Sequence, residues 1–356
     1  MKVHFGKTAL IMAGGTGGHI FPALAVAHEL TRRHWRAVWV GQPESMEARL
    51  VPEHGFAFLP IVFPPLRGKG IARKLGLPLN LLRALSSARR ILQEAEPDLV
   101  VGFGGYVSFP CGAMARLSGI PLVLHEQNAI AGLANRALAP LAKKVLTGFP
   151  EVFRQGRWVG NPVRPTIAAL PDPETRFAGR QGRLRLLVLG GSLGAQALNE
   201  VVPKGIALMG EACRPHIRHQ AGQKHLESLK ANYAAAGVEA ECLPFIDDMA
   251  EAYGWADLVI CRAGALTLAE LAAAGVASVL VPFPFAVDDH QTANARFLAQ
   301  AGGAILLPQA ELTPESIALI GKYPRRQLLE MGKKARELAR PDAASAVADI
   351  CAEVVA

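Results

Sequence analysis

Cysteine is scarce and scattered. Cys111, Cys213, Cys242, Cys261 and Cys351 are odd in number and form no Cys-x-x-Cys pair, so neither a disulfide framework nor a zinc site is readable, and a reducing cytoplasm fits best. Asp-x-Asp is absent, so no metal clamp for a diphosphate leaving group is evident; no metal and no cofactor is expected. The Walker pattern is missing because no Lys-Ser or Lys-Thr follows a glycine loop, and the Gly-x-Gly-x-x-Gly pattern begun at Gly15 fails at Ile20. Two common nucleotide folds recede. Long apolar runs are lacking too. Ala9 to Ala13 is far shorter than a signal segment, and the most membrane-like window, Ala265 to Val287, is broken by Glu270, Gly275, Pro282 and Pro284. Neither export nor a bilayer span is expected.

What the 356 residues do contain is a soluble globular composition, 51% hydrophobic and 19% charged, long enough for two domains that each bury a core. The net charge of +8 is unevenly placed: 19 Lys and Arg face 9 Asp and Glu up to Pro162, against 19 and 21 from Val163 onward. Such asymmetry bears on partners rather than fold.

Two apolar runs end in glycines and open Ala-rich helical patterns, Thr8 to His19 and Leu184 to Ala195, half a chain apart. After each, short continuous β-rich runs alternate with helical ones: Arg36 to Gly41, Phe56 to Phe63, Asp98 to Phe103, Pro121 to His125 and Lys143 to Gly148 in the first half, then His216 to Gln220, Val238 to Leu243, Asp257 to Cys261, Val276 to Pro282 and Ala304 to Leu307. Apolar strands separated by helices mean parallel sheets covered on both faces. The fold class is α/β, two doubly wound Rossmann-like domains facing a cleft. The Pro- and Gly-rich stretch Gly160 to Pro165 marks the boundary, giving a first domain over 1–162, a second over 163–340, and a last helix over 341–356 that could pack on either.

In such sheets ligands bind beyond the carboxyl ends of the strands, where glycines let N–H groups approach an anion and a helix N-terminus adds about half a positive charge. Both glycine turns lie there, which suits a diphosphate, although such turns also serve tight packing. In the stretch Asp257 to Glu270, a strand and a turn at Gly264 precede a helix carrying Glu270 among apolar neighbours. That acid can accept hydrogen bonds from both hydroxyls of a ribose; the plainer reading is a solvated helix acid. Asp288-Asp289-His290 reads as the cap of a helix starting near Gln291. His125-Glu126-Gln127-Asn128 ends a strand with acid, base and amide, or supplies ordinary loop caps.

Between Phe63 and Gln93 stand seven basic residues, Arg67, Lys69, Arg73, Lys74, Arg83, Arg89 and Arg90, interleaved with leucines and with no acid. At about 1 kcal/mol per basic residue near an anionic leaflet, this is enough for reversible docking. Nucleic acid would call for stacking aromatics, and none follows Phe63. Residues 64–92 are therefore expected to meet an anionic membrane surface, and no nucleic acid.

Gly14-Gly-Thr-Gly-Gly-His19, Gly104-Gly-Tyr106, His125-Glu-Gln-Asn128, Gly160-Asn-Pro-Val-Arg164, Gly190-Gly-Ser192 and the Arg262 to Glu270 stretch together resemble the bacterial cell-wall N-acetylglucosaminyltransferases. The resemblance implies a GT-B fold that moves N-acetylglucosamine from UDP-N-acetylglucosamine to the C4 hydroxyl of the muramyl sugar of lipid I, giving lipid II with inversion, at the cytoplasmic face of the membrane. It implies nucleotide contacts at Arg164, Ser192, Ile246, the backbone of Ala265, Leu266 and Thr267, and Glu270. Asn128 and Gln291 would hold the donor sugar, and Thr16, Gly17 and Gly18 would line the cleft. Leu193 and Ala263 depart from the family's common Gln and Ser. Inverting transfer needs a base for the C4 hydroxyl. His19, after the first glycine turn and with an ordinary pKa near 6.5, is the leading candidate and Glu126 the rival. Another UDP-sugar GT-B transferase of glycolipids, an epimerase, or a non-catalytic UDP-sugar-binding protein that docks on membranes is the alternative.

Overall fold

The computed structural model describes residues 6–63, 77–191 and 194–356. Arg67, Lys69, Arg73 and Lys74, together with Ser192 and Leu193, lie outside the described residues. The chain forms two compact units, Met1–Val163 with Arg340–Ala356, and Arg164–Ala339.

The first unit is a parallel sheet of seven strands: β1 (Thr8–Ala13), β2 (Arg36–Gly41), β3 (Ala57–Pro60), β4 (Leu99–Gly104), β5 (Leu122–Glu126), β6 (Lys144–Thr147) and β7 (Arg157–Trp158), ordered β3-β2-β1-β4-β5-β6-β7. Alternation along β1 shows why it lies centrally. Ala9, Ile11 and Ala13 enter one core and Leu10 and Met12 the other, so both faces must be covered and the strand reads as continuously apolar. The first core is closed by the Gly17–Arg32 helix and by the chain's last helix, Ala343–Val355, through Val347, Ala348, Ile350 and Cys351. Arg33 fastens that last helix by bonds to Asp349 (2.6 Å) and Ser345 Oγ (2.7 Å). Trp39, fully buried, donates its indole N–H to Ala13 O at the end of β1.

The second unit repeats the plan with β8 (Arg185–Leu189), β9 (His216–Gln220), β10 (Glu241–Leu243), β11 (Leu258–Cys261), β12 (Ala277–Leu280) and β13 (Ala304–Leu306), ordered β10-β9-β8-β11-β12-β13 and parallel throughout. Each sheet reverses its strand order beside its opening strand, at β1/β4 and β8/β11, and a crevice outside the carboxyl ends at that point is where doubly wound sheets take ligands. The expected strands are present: β2 and β9 keep the expected bounds, β4 and β5 lie one residue further on, and the others are shortened at one or both ends. The two-residue β7 carries too little pattern to be read from sequence.

Candidate active site

In the second unit β11 delivers the chain through Arg262-Ala263-Gly264 into the Ala265–Ala274 helix. Gly264 occupies the N-cap with extended backbone and no side chain caps the helix. The first intrahelical bond runs from Leu268 N–H to Gly264 O, so the N–H groups of Ala265, Leu266 and Thr267 have no intrahelical partner and stand at the positive end of the helix dipole. Three donors and a partial charge are what a diphosphate needs. One and a half turns later Glu270 is not a solvated helix acid. Its side chain is only 14% exposed; Oε1 accepts from Arg164 Nε (3.0 Å) with Nη2 in ion-pair contact at 2.9 Å, and Oε2 accepts from the Tyr253 hydroxyl (3.2 Å). Burial pushes this carboxyl up from its ordinary pKa, against the pull of Arg164 and the Tyr253 hydroxyl.

Two further groups shape the same strand ends, and both escaped the sequence reading. Gln220, the last residue of β9, accepts Ile246 N–H at Oε1 (3.1 Å) and donates from Nε2 to Gly191 O (3.0 Å). It thereby ties the glycine turn after β8 to the loop carrying Ile246, whose N–H is spent internally. A polar residue closing a core strand was the available signal. Arg262 lies over the Phe283 ring, 5.5 Å from its centroid, and donates to Val281 O, Pro282 O and Gln309 Oε1, fixing the loop that leads to Gln291. Gln291 Oε1 in turn accepts Phe283 N–H (2.9 Å). The expected helix begins at His290, one residue early, with Asp289 at the N-cap position. That cap is a correction: the Asp289 carboxylate accepts from the Thr292 hydroxyl (2.7 Å) and no side chain caps the helix. Asp288 and Asp289 both sit at positive φ, 53° and 52°, a strained arrangement for residues with side chains.

In the first unit β1 passes through Gly14-Gly15-Thr16 into the Gly17–Arg32 helix, which again has no side-chain cap. Gly17, Gly18 and His19 form its first turn. His19 Nδ1 lies 3.0 Å from Gly14 O and 3.3 Å from Thr16 Oγ1. A carbonyl oxygen can only accept, so Nδ1 carries the proton and, in the neutral ring, Nε2 holds the lone pair. Gly104 at the end of β4 leaves room for the ring: a Cβ there would sit 3.2 Å from His19 Nε2.

The His125 to Asn128 segment is densely hydrogen-bonded within the first unit. Glu126, offered by the sequence as rival base, is 2% exposed. Oε1 takes Asn128 N–H (3.0 Å) and Asn128 Nδ2 (3.4 Å), and Oε2 takes Gly132 N–H (3.0 Å) and Asn135 Nδ2 (2.9 Å). Four donors therefore hold the buried carboxylate in one orientation, with both oxygens already bonded within the protein. His125 is fully buried between Gly160 O, to which Nε2 donates (2.9 Å), and the Gln127 amide on Nδ1 (3.0 Å); burial holds its pKa down at about 4. Asn128 alone is partly exposed, with its amide on Glu126. Among the described residues no three His, Cys, Asp or Glu side chains are grouped as a metal ion would require.

The glycosyltransferase family 28 N-terminal domain matches residues 9–147 and the family's C-terminal domain matches 185–353. The chain belongs to glycosyltransferase family 28. Among family 28 relatives it is 66% identical over 348 residues, 98% of this chain and 99% of the relative, to the UDP-N-acetylglucosamine--N-acetylmuramyl-(pentapeptide) pyrophosphoryl-undecaprenol N-acetylglucosamine transferase of Dechloromonas aromatica. It is 56% identical over 349 residues, 97% of this chain and 96% of the relative, to the protein of the same name in Ralstonia nicotianae. The crystal structure of Acinetobacter baumannii MurG superposes with a TM-score of 0.88 at 44% identity, covering 98% of this chain and 99% of that one. CalG4, the calicheamicin glycosyltransferase, shares the fold with a TM-score of 0.65 at 17% identity, covering 98% of each chain. Family 28 membership and these neighbours give the GT-B fold.

Proposed function

We propose that this chain transfers N-acetylglucosamine from UDP-N-acetylglucosamine to the C4 hydroxyl of the muramyl sugar of lipid I, giving lipid II with inversion. The observation that carries the reading is at β11: three N–H groups without intrahelical partners, at Ala265, Leu266 and Thr267, precede a buried acid, Glu270, on the same helix. The N–H groups and the dipole take up the charge that develops on the diphosphate as it leaves, and Glu270 with Arg164 holds the ribose side. Gln291 and Asn128 offer amides to the sugar. His19 Nε2 receives the proton of the C4 hydroxyl as that oxygen attacks the anomeric carbon from the face opposite UDP.

A lipid-linked acceptor brings the enzyme to a surface. No helix among the described residues is long and apolar enough to cross a membrane; the lipid-linked acceptor and the basic, leucine-rich face favour peripheral docking, at the cytoplasmic side. On the Leu77–Ala95 helix, Leu82 is 64% exposed beside Arg83, Arg89 and Arg90; Arg116 and the 76% exposed Leu117 end the Ser108–Leu117 helix that packs on it. Exposed leucines among arginines, with no acid between Phe63 and Gln93, favour an anionic leaflet.

Radiolabelled UDP-N-acetylglucosamine incubated with a short-chain lipid I analogue tests the proposal. Label should pass to the lipid product, with UDP released only when the acceptor is present. Binding of the sugar nucleotide without acceptor-dependent release would leave a non-catalytic binding protein.

A further inference from the structure

The peptide group joining Gly14 to Gly15 is gripped on both edges. Its C=O accepts His19 Nδ1–H at 3.0 Å, and its N–H donates to Glu47 Oε2 at 3.2 Å. The C=O and N–H of a trans peptide point to opposite sides of one conjugated plane, so a carboxylate and an imidazole are joined through a single polarisable group.

Glu47 reaches this place from the Met46–Glu53 helix and is 1% exposed. Its other oxygen accepts Gln42 N–H at 3.2 Å. Among the described residues its carboxylate meets backbone N–H groups and no ion-pair partner. Two glycines make the slot it fills: a Cβ on Gly14 would collide with Glu47 Oε1, and one on Gly41, at the end of β2, would lie 2.6 Å from Glu47 Cγ. An apolar side chain could fill that slot more cheaply, because burying a carboxylate without a cation is costly. The acid therefore calls for a reason beyond packing.

We propose that Glu47 is a positioning residue for His19, acting through the Gly14–Gly15 peptide to hold the imidazole with its proton on Nδ1 and to strengthen Nε2 as a base. The inference rests on the reading of His19 as the base of the transfer. As Nε2 takes the proton of the acceptor hydroxyl, positive charge spreads over the ring. The Nδ1–H then leans harder on Gly14 O, which the hydrogen bond from Gly15 N–H to the carboxylate has made a better acceptor. No proton leaves Glu47 or the peptide. His19 lies in the first turn of its helix, whose positive end opposes protonation; the carboxylate offsets that opposition. Thr16 Oγ1 also faces this arrangement, 3.3 Å from Nδ1, as does Tyr106 after β4, whose phenol is pushed up first by burial and then by the charge of Glu47.

The test is nuclear magnetic resonance on the full chain, following the His19 ring nitrogens and the Gly15 amide across pH in the native protein and in Glu47→Gln. In the native protein the Gly15 amide resonance should titrate with the same midpoint as the His19 ring. In Glu47→Gln the His19 midpoint should fall by about half a pH unit or more, since a nearby negative charge favours the imidazolium. There kcat should drop roughly tenfold with KM for UDP-N-acetylglucosamine little changed, and the acid limb of kcat should move down with the ring. A Gly15 amide indifferent to His19, or a His19 midpoint unmoved by Glu47→Gln, overturns the coupling; the native-protein titration decides alone if the variant does not fold. A midpoint that moves while the acid limb stays put keeps the coupling and removes His19 from the role of base.

Discussion

Arg164 and Glu270 are joined at one carboxylate oxygen, which accepts a hydrogen bond from Nε at 3.0 Å and lies in ion-pair contact with Nη2 at 2.9 Å. Arg164 stays 49% exposed while the Glu270 side chain is 14% exposed, so the pair has a buried end that holds position and an open end that can meet a ligand. With one Glu270 oxygen on the arginine and the other on Tyr253, the carboxylate is fixed in place before any nucleotide arrives.

Glu270→Ala should therefore weaken UDP-N-acetylglucosamine by about 1.5–3 kcal/mol, the scale of hydrogen bonds to a charged group. Calorimetry reads this directly. An unchanged affinity removes Glu270 from the ribose.

Turnover should persist in excess chelator. In the proposed reaction the charge on the leaving diphosphate is met by the N–H groups of Ala265, Leu266 and Thr267. Complete loss of activity that returns on adding a divalent ion contradicts this.

Vesicle binding should depend on salt, because exposed charges are screened over about 10 Å at 0.1 M. Replacing Arg83, Arg89 and Arg90 by Gln should lower co-sedimentation with anionic vesicles at low salt and leave neutral vesicles unaffected. Equal binding before and after places the membrane contact elsewhere on the chain.

Among the described residues each unit carries one buried histidine, His125 and His219, and both should make the fold acid-sensitive. Burial lowers His125 to about 4 and His219 to about 3, from an ordinary 6.5. With the folded pKa below the unfolded one, the unfolded chain binds more protons in between. Stability is then complete above about pH 6.5 and is lost as pH falls toward those lower values. Urea midpoints should drop between pH 7 and pH 5, and His219→Phe should flatten part of that slope. A midpoint indifferent to pH over this window contradicts the neutral burial of both rings.

Much of the fold was legible because β1, β4, β8 and β11 are buried on both faces and so appear as unbroken apolar runs ending in glycine. The placement of the candidate residues was legible where a polar residue stands out in an apolar or glycine-rich setting, as with the burial of Glu270 and the first-turn position of His19. It was not legible where the role depends on what folds against the residue. The four donors on the oxygens of Glu126 come from residues that no sequence pattern ties to it, and Asp289 looked like a cap until its backbone proved left-handed. Glu47 sits in an ordinary helix start, and only the space left by Gly14 and Gly41 reveals where its carboxylate goes.

The most direct test of the account is single-turnover transfer by His19→Ala, with the lipid I analogue and calorimetric donor affinity measured on the same preparation. Loss of the base should slow transfer by roughly 10²–10⁴ while UDP-N-acetylglucosamine binds as before. A variant that keeps most of its rate, or loses donor affinity as steeply as rate, contradicts the account and makes His19 a binding or structural residue.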